Sequence, residues 1–379
     1  VAAVKAPGFG DRGMEGNDHK VSLLPEEFKQ MVLMIRNLEE SFGNKEERAI
    51  TQGELINREN LAKSLIINRD LDKGIKIERS MIEIKSPGQG LQPNRIDELV
   101  GKTSNRKFKK GDVFFESDIN SIDLKKNGYK FQRPFGIPVR FHDFNKLVKN
   151  TDLDFVEFHL SYTDLNEKLD DFFKTDSDLD YAVHSPELFS EDHILDLASE
   201  NEDYLERSIK ELQKTIDKTR EIKKYFPHSS PQGPVLVLNA GGWSTKGFLG
   251  EKQKQIKYQL VAESLAKVNK ENVRIAIQTM PPFPWHFGGQ SYHNLFIEPD
   301  EIVNFCELHN YKICLDVSHS MMACNYLKID FNDFLRKVLP YTIHLHIVDA
   351  KGVDAEGVQI GKGDVNFNEL KRNLEIYAD

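Results

Sequence analysis

From Ile137 onward, short apolar runs alternate with amphipathic stretches of helical length. The runs are Ile137–Phe141, Phe155–His159, Tyr181–His184, Val235–Asn239, Val273–Gln278, Lys312–Asp316 and Tyr341–Val348. Each has the length and composition of a buried strand, so seven strands are predicted. The longest intervening segment runs from about Glu202 to Tyr225, where Leu205, Ile209, Leu212, Ile216 and Ile222 make one helical stripe. Strands and helices in alternation build a parallel sheet whose strand C-termini carry the chemistry. No Gly-x-Gly-x-x-Gly turn follows the first run, so the pattern predicts a (β/α) barrel rather than a doubly wound sheet, with no nucleotide cofactor. After Ile360–Phe367 a seventh helix is expected and the chain stops at Asp379, leaving the barrel without its eighth strand. Such a sheet has an open edge. Unusual closure, a partner filling the gap or a fragment of a longer chain would each explain it, and a fragment is favoured because the N-terminus also looks cut.

Ahead of the barrel the texture differs. Pro25-Glu26-Glu27 opens a helix with proline in the first turn and carboxylates at the positive end of the dipole. Phe28, Met31, Val32, Ile35, Leu38 and Phe42 repeat at helical spacing until Gly43. One amphipathic helix cannot bury its face alone, so it is expected to dock on something. From Leu61 to Ile119 short β-like runs, Ser64–Ile67 and Met81–Ile84 among them, are separated by turns at Asp72-Lys-Gly74, Pro87-Gly88-Gln-Gly90 and Lys110-Gly-Asp112. A small β-rich domain over 61–120 follows from that, and the lysine-rich stretch 121–134 reads as a linker. The fold class is therefore α/β: a small β-rich domain followed by an incomplete (β/α) barrel over 135–379.

Composition narrows the partners. The net charge of −9 argues against a nucleic-acid surface. Neither a membrane-spanning run nor a signal peptide is visible, and a cytoplasmic protein is expected. Cys306, Cys314 and Cys324 fall in core-like segments without ligand spacing and read as reduced packing residues; a cysteine nucleophile is the alternative.

Candidate chemistry gathers at the ends of the last strands. In Asp316-Val-Ser-His319 the strand is expected to end and turn, so residues three apart face one mouth. His344 and His346 share a strand face through the period of two, and either can point into that mouth. A carboxylate with imidazoles at neighbouring strand ends suggests a sugar- or phosphate-handling site with one divalent cation, Mn, Zn or Mg. Trp285, His286 and Gln290 lie on the Gly-rich loop after the fifth strand and suit stacking on a sugar ring; a proline-stiffened loop with Trp285 packed on its neighbours is the alternative. Gly241-Gly242 offers a backbone approach to a phosphate.

Resemblances to known families extend this reading. Val1–Arg12 resembles a segment of the group I chaperonin apical domain and nothing after Gly13 continues it, so 1–13 is expected to be a tag or junction, with Met14 a candidate first natural residue. Gly16-Asn-Asp18-His19-Lys-Val-Ser22-Leu-Leu-Pro25-Glu-Glu-Phe28 resembles the end of the sialic acid (nonulosonate) synthase barrel, which makes 14–45 that barrel's last loop and helix. His19 would be a loop hydrogen-bonding residue, or a catalytic relic. Ala62-Lys-Ser64-Leu, Asp70-Leu-Asp-Lys-Gly74, Lys85-Ser86-Pro87-Gly88-Gln-Gly90-Leu, Leu99-Val-Gly101-Lys and Lys110-Gly-Asp112 resemble the antifreeze-like SAF (β-clip) domain that follows it. That family usually has an arginine where Ser86 stands, reaching substrate in a partner's barrel; a serine lacks the forked charged donor, so a structural SAF domain is expected.

The run from about Phe135 to the end resembles the xylose-isomerase-like superfamily of TIM barrels, which includes sugar isomerases, epimerases and type-IV-like endonucleases. The resemblance implies Asp316 and His346 as metal ligands and His319 as the neighbouring substrate-contacting histidine. It implies His184 as the histidine at the end of the third strand. Gln278 stands where the family usually has a metal-binding, proton-moving glutamate, and Asn239 where it often has a histidine. An amide can ligate through oxygen but cannot act as a base. A multi-metal endonuclease is not expected.

The functional expectation is a segment of a carbohydrate-biosynthesis protein whose barrel is a metal-dependent isomerase or epimerase of a sugar or sugar phosphate. Asp316, His346 and Gln278 would hold the metal, and His319, His184, Asn239, Trp285, His286 and Gln290 would contact substrate. No residue is identified as the deprotonating base. A non-catalytic sugar-binding or scaffolding chain docking on a sialic acid synthase barrel or in a homodimer is the second reading. A synthase fused to this barrel, with its condensing domain upstream, is the third.

Overall fold

The computed structural model describes residues 13, 15, 22–43, 52–120, 132–149, 151–286 and 289–377, with the backbone alone at 52–53, 55–56, 59, 285–286 and 289–290. The chaperonin-like 1–12, His19 and most of the 121–134 stretch lie outside these residues. The chain divides into two compact units, Val1–Ile50 and Thr51–Asp379. The first contains helix α1, Pro25–Ser41, whose Leu24 backbone N–H donates to Glu27 Oε2 at 2.9 Å. None of its residues is buried, so the docking expected of its apolar stripe is not seen among the described residues.

The second unit opens with helix α2, Gln52–Leu61, which the sequence reading did not contain. Strands β1 (Ser64–Ile67) and β2 (Ile82–Lys85) pair antiparallel, and Leu65, Ile67, Leu71, Ile77, Leu91, Leu99, Phe108 and Phe114 form their buried core. The Pro-Gly turn lies against α2. A Cβ at Gly88 would meet the Arg58 carbonyl oxygen at 2.1 Å, which explains the glycine. Ser86 Oγ donates to the Leu61 carbonyl at the end of the same helix at 3.3 Å.

The remaining strands are β3 (Gly136–Val139), β4 (Phe155–His159), β5 (Asp180–His184), β6 (Val235–Leu238), β7 (Arg274–Gln278), β8 (Lys312–Asp316) and β9 (Thr342–His346). They form one parallel sheet in the order β9-β8-β7-β6-β5-β4-β3. Between them run helices α3 (Glu202–Ile222), α4 (Glu251–Lys267), α5 (Pro299–His309), α6 (Val317–Leu327) and α7 (Phe331–Val338), with α8 (Phe367–Tyr377) last. Among the described residues the sheet has these seven strands, and it curls until side chains of β4 and β9 meet: Phe155 and His344 have ring centroids 5.6 Å apart.

Strand alternation separates two environments. Val156, Phe158, Val183, Leu236, Leu238, Ile277, Ile313 and Leu315 belong to the large core that also takes Leu212, Ile216 and Ile222 of α3. Ala182, Val235, Val237, Ala276 and Cys314 form a separate inner cluster of smaller side chains. The polar strand-end residues share the parity of this inner set.

Two local expectations are corrected. Asp316-Val-Ser-His319 is a helix start and not a turn: Asp316 caps α6 and its carboxylate accepts from the His319 backbone N–H at 2.9 Å. Gly241, at φ of 85°, makes room for Asp196 and Gly242, at 86°, for Leu295, rather than for a phosphate. The Asp196 carboxylate accepts from the Gly242 N–H at 2.9 Å, and a Cβ on Gly241 would lie 2.3 Å from Asp196 Oδ1.

Candidate functional site

In β4, Phe155-Val-Glu157-Phe-His159, alternation sends Val156 and Phe158 to the helices and Glu157 and His159 to the inside. The same period places His184 above Ala182, Gln278 above Ala276, Asp316 above Cys314 and His346 beyond His344. Register aligns the ends, with His159 beside His184 and Asp316 beside His346. The His159 and His184 rings stack at 4.8 Å, and His184 and His346 at 5.7 Å.

Glu157 is the centre of one half of the cluster. It is 4% exposed, and charged groups are rarely buried so deeply without partners. Its Oε1 lies 2.7 Å from His159 Nε2 and 3.0 Å from His346 Nε2, and its Oε2 lies 2.5 Å from His344 Nε2. Burial works against the ionised carboxylate, but the hydrogen bonds from His159, His344 and His346 hold it well below the usual range.

Gln278 is the centre of the other half. Its Oε1 is 3.2 Å from His184 Nε2, and its Nε2 donates to Asp316 Oδ2 at 3.1 Å and lies 3.2 Å from His346 Nδ1. Asp316 Oδ2 is 3.4 Å from the same Nδ1. Burial raises the proton affinity of Asp316, yet the His319 and His346 rings bring its carboxyl down to about 2. Burial disfavours charge on His346, but Cys314, Asp316 and Glu157 packed around it raise its proton affinity. For His184 burial dominates and lowers the proton affinity of the ring.

His319 sits in the first turn of α6. Its Nδ1 donates to the Thr279 carbonyl at 2.8 Å, and its Nε2 meets Glu356 Oε1 at 3.1 Å. Burial opposes the imidazolium, but Asp316 and Glu356 push it up to about 9. Glu356 comes from a hairpin the sequence reading did not contain, β10 (Asp349–Lys351) with β11 (Ala355–Val358). Asp349 anchors that hairpin: its buried carboxylate accepts from the backbone N–H groups of Ala350, Gly361, Gly363 and Val365 at 2.8–3.1 Å.

The structure therefore brings Asp316, His346, Gln278 and His184 into one contact network, with His319 joined through Asp316. Asn239 is not part of it; its Oδ1 accepts from the Gly241 N–H at 3.0 Å and its Nδ2 faces Glu187 at 3.5 Å. Trp285 and Gln290 pair in a short antiparallel ladder with His286 and Gly289, while the side chains of Trp285, His286 and Gln290 lie outside the described residues. Sequence reading passed over Glu157, His159 and Glu356. A glutamate inside an apolar strand, two positions before a terminal histidine, was the available signal for the first two.

The donor set fits a divalent cation. One ligand atom each from Glu157, His159 and His346 lies within 4.8 Å of the others, and a carboxylate with two imidazoles suits a transition metal.

Comparison with known proteins places the chain in a family. The model of the xylose isomerase-like TIM barrel matches residues 146–377, more than half of the chain. The chain belongs to the xylose isomerase-like TIM barrel family. Ahead of this barrel, the SAF domain model matches residues 62–120 and the NeuB family model residues 9–47. Curated relatives include an N,N'-diacetyllegionaminic acid synthase of Campylobacter jejuni, 30% identical over 106 residues, or 28% of this chain and 31% of that protein. A pseudaminic acid synthase of Campylobacter jejuni is 33% identical over 108 residues, covering 28% and 31%. The chain thus spans about a third of the length of these relatives. Among solved structures, a D-tagatose 3-epimerase-like protein superposes with TM-score 0.47 at 22% identity, covering 65% of this chain and 88% of that one. Endonuclease IV from Thermus thermophilus gives 0.41 at 14%, covering 64% and 87%. Among the described residues no helix is long and apolar enough to cross a membrane.

Proposed function

We propose that the chain is part of a carbohydrate-biosynthesis protein of the nonulosonate synthase type, whose xylose isomerase-like barrel isomerises or epimerises a sugar or sugar phosphate with one divalent cation. The observation that carries this reading is the convergence of two carboxylates and three imidazoles, Glu157, His159, His184, Asp316 and His346, at the C-terminal ends of a parallel sheet. The family pattern would set the cation at Asp316, His346 and Gln278. When bound, it supplies Lewis acidity to a carbonyl or hydroxyl of the sugar.

The chain's own residues do the rest. Gln278 ties His184 to Asp316 and fixes both. His319 and Glu356 form the proton-handling pair: Glu356 is partly exposed, touches the ring nitrogen that faces away from Thr279, and supplies the carboxylate that the fifth strand lacks. Trp285, His286 and Gln290 are proposed sugar contacts on the loop beyond. The SAF domain, with Ser86 in place of the charged donor, docks on a synthase barrel without reaching into its chemistry.

Gln278 favours a second reading, a sugar-binding barrel without turnover, because an amide in the middle of the network cannot take a proton. Thermal unfolding with and without Mn, Zn or Mg, beside Asp316→Ala, separates the cases. A ligand at about 100 times its dissociation constant stabilises by about 2.7 kcal/mol. Stabilisation lost in the variant, with sugar isomerase turnover in the parent, supports the enzyme. Turnover that survives Asp316→Ala removes Asp316 from the metal site, and no shift with any cation removes the metal-dependent enzyme.

A further inference from the structure

His346 presents two different coordination environments, one on each ring nitrogen. The Nδ1 side holds Asp316 Oδ2 at 3.4 Å and the Gln278 amide at 3.2 Å. The Nε2 side holds Glu157, with both carboxylate oxygens at 3.0–3.1 Å, and beyond it His159, whose Nε2 is 2.7 Å from the same carboxylate. A single imidazole ligates through one nitrogen at a time, so an ion on His346 must choose a side.

We infer that the cation is held on the Nε2 side, by Glu157, His159 and His346, and that Asp316 is a positioning residue and not a ligand. This rests on the reading of the barrel as metal-dependent and assigns the ligands within it.

Donor chemistry favours the Nε2 side. It offers a carboxylate and two imidazoles, whereas the Nδ1 side offers a carboxylate, one imidazole and an amide, a weaker donor for a borderline ion. Spacing agrees as well. Ligands about 2.0–2.1 Å from a tetrahedral ion stand about 3.4 Å apart, so contacts of 2.7–3.1 Å need only open slightly to admit one. The outer contacts are in place on both flanks. His344 holds the second oxygen of Glu157 at 2.5 Å, and Asp316 Oδ2 lies 3.4 Å from His346 Nδ1, where it would accept the proton of a ring that ligates through Nε2, the carboxylate–histidine–metal arrangement that fixes a ligating ring's tautomer. His159 is about a third exposed, with its side chain 35% accessible, which leaves an approach for a fourth ligand from solvent or substrate.

The test is metal binding by the full chain, read by cobalt(II) absorption and by zinc stoichiometry after dialysis, for the parent, His159→Asn, Glu157→Gln and Gln278→Ala. Circular dichroism checks folding, and His159→Asn, at a partly exposed position, serves if the buried substitution unfolds the chain. One equivalent bound by the parent, at least about 100-fold weaker in His159→Asn and Glu157→Gln and clearly less weakened in Gln278→Ala, whose amide touches only the far nitrogen of His346, is the expected result. Outer-contact losses in metal sites run about 10–100-fold, so a ligand loss should reach or exceed that range. Binding lost in Gln278→Ala and kept in His159→Asn overturns the assignment while leaving metal dependence intact. Loss in all three variants also overturns the one-sided site. No metal bound by the parent overturns both the assignment and the metal-dependent reading beneath it.

Discussion

Glu157 Oε1 lies 3.0 Å from His346 Nε2, although 189 positions separate the two residues. The contact joins β4 to β9, strands with four others between them in the sheet order. It therefore serves architecture and chemistry together: the carboxylate that gathers three imidazoles also ties the edge strand β9 across the curl to β4, the neighbour of the other edge strand.

Glu157→Ala should be costly to the folded chain. Removing one member of a buried charged cluster and leaving the rest typically costs about 3–5 kcal/mol, because the remaining groups stay desolvated without their partner. Urea unfolding at pH 7 should show a loss in that range. Glu157→Gln, which keeps the volume and one acceptor oxygen, should lose less. A loss below about 1 kcal/mol for the alanine variant would mean that water enters the cluster and replaces the carboxylate.

Much of the barrel could be read in the sequence because an apolar strand between helices is a local signal. All seven predicted runs are strands, with ends shifted by no more than one residue except at Phe141 and Val348, where the apolar run outlasts the pairing by two. Gln278, Asp316 and His184 were visible for the same reason, each closing a run, and His346 through the period of two it shares with His344. Glu157 was not, since its partners lie in β9 and no local pattern shows which strand faces another across a barrel. The hairpin carrying Glu356 was also hidden. Its strands are short, and it exists because four backbone N–H groups converge on Asp349, a long-range arrangement with no periodicity.

Asp349→Ala tests that anchor. A hydrogen bond to a charged group contributes about 1.5–3 kcal/mol, and four donors lose theirs at once, so a loss of at least about 2 kcal/mol is expected. The segment 352–364 should become the first site of proteolytic cleavage. Gly363→Ala should act in the same direction, since a Cβ there would lie 2.2 Å from the Ala350 carbonyl oxygen. Unchanged stability and an uncut loop in Asp349→Ala would show that the hairpin is held by other contacts.

The same carboxylate gives a pH dependence with a definite sign. Burial works against its charge, but the N–H groups of Gly363, Val365, Ala350 and Gly361 outweigh this and lower its pKa below the ordinary 3.8. A depressed folded-state pKa contributes stability that is present above pH 3.8 and lost as the pH falls towards the folded value. The stability difference between the parent and Asp349→Asn should therefore be constant near neutrality and shrink below about pH 4. A difference that grows on acidification would contradict it.

Cysteine reactivity separates packing from nucleophilic roles. Cys306, Cys314 and Cys324 are all buried, and burial pushes the thiols of Cys306 and Cys324 up to about 12 and raises that of Cys314. Thiolate is the reactive form. Native chain at pH 8 should react slowly with a disulfide reagent at all three positions, and all three should react at once in urea. A fast-reacting thiol in the folded chain would reopen the nucleophile reading.

Gln278→Glu addresses the choice between enzyme and binding barrel. The amide now donates to Asp316 at 3.1 Å, and a carboxylate in its place would set two like charges on one hydrogen-bond contact. Two carboxylates sharing a site force one of them to keep its proton. The metal-free variant should accordingly be less stable than the parent at pH 8 and recover towards pH 5, where the new carboxyl is protonated. Added cation should offset the loss only if carboxylates at 278 and 316 turn the Nδ1 side of His346 into a second site, one the parent's amide does not provide. If the amide is what stops proton transfer, exchange of a sugar's carbon-bound proton with solvent deuterium should appear or rise in this variant. A variant that binds metal more tightly yet exchanges no proton would leave the barrel as a sugar-binding module, since the missing charge would then not be what holds turnover back.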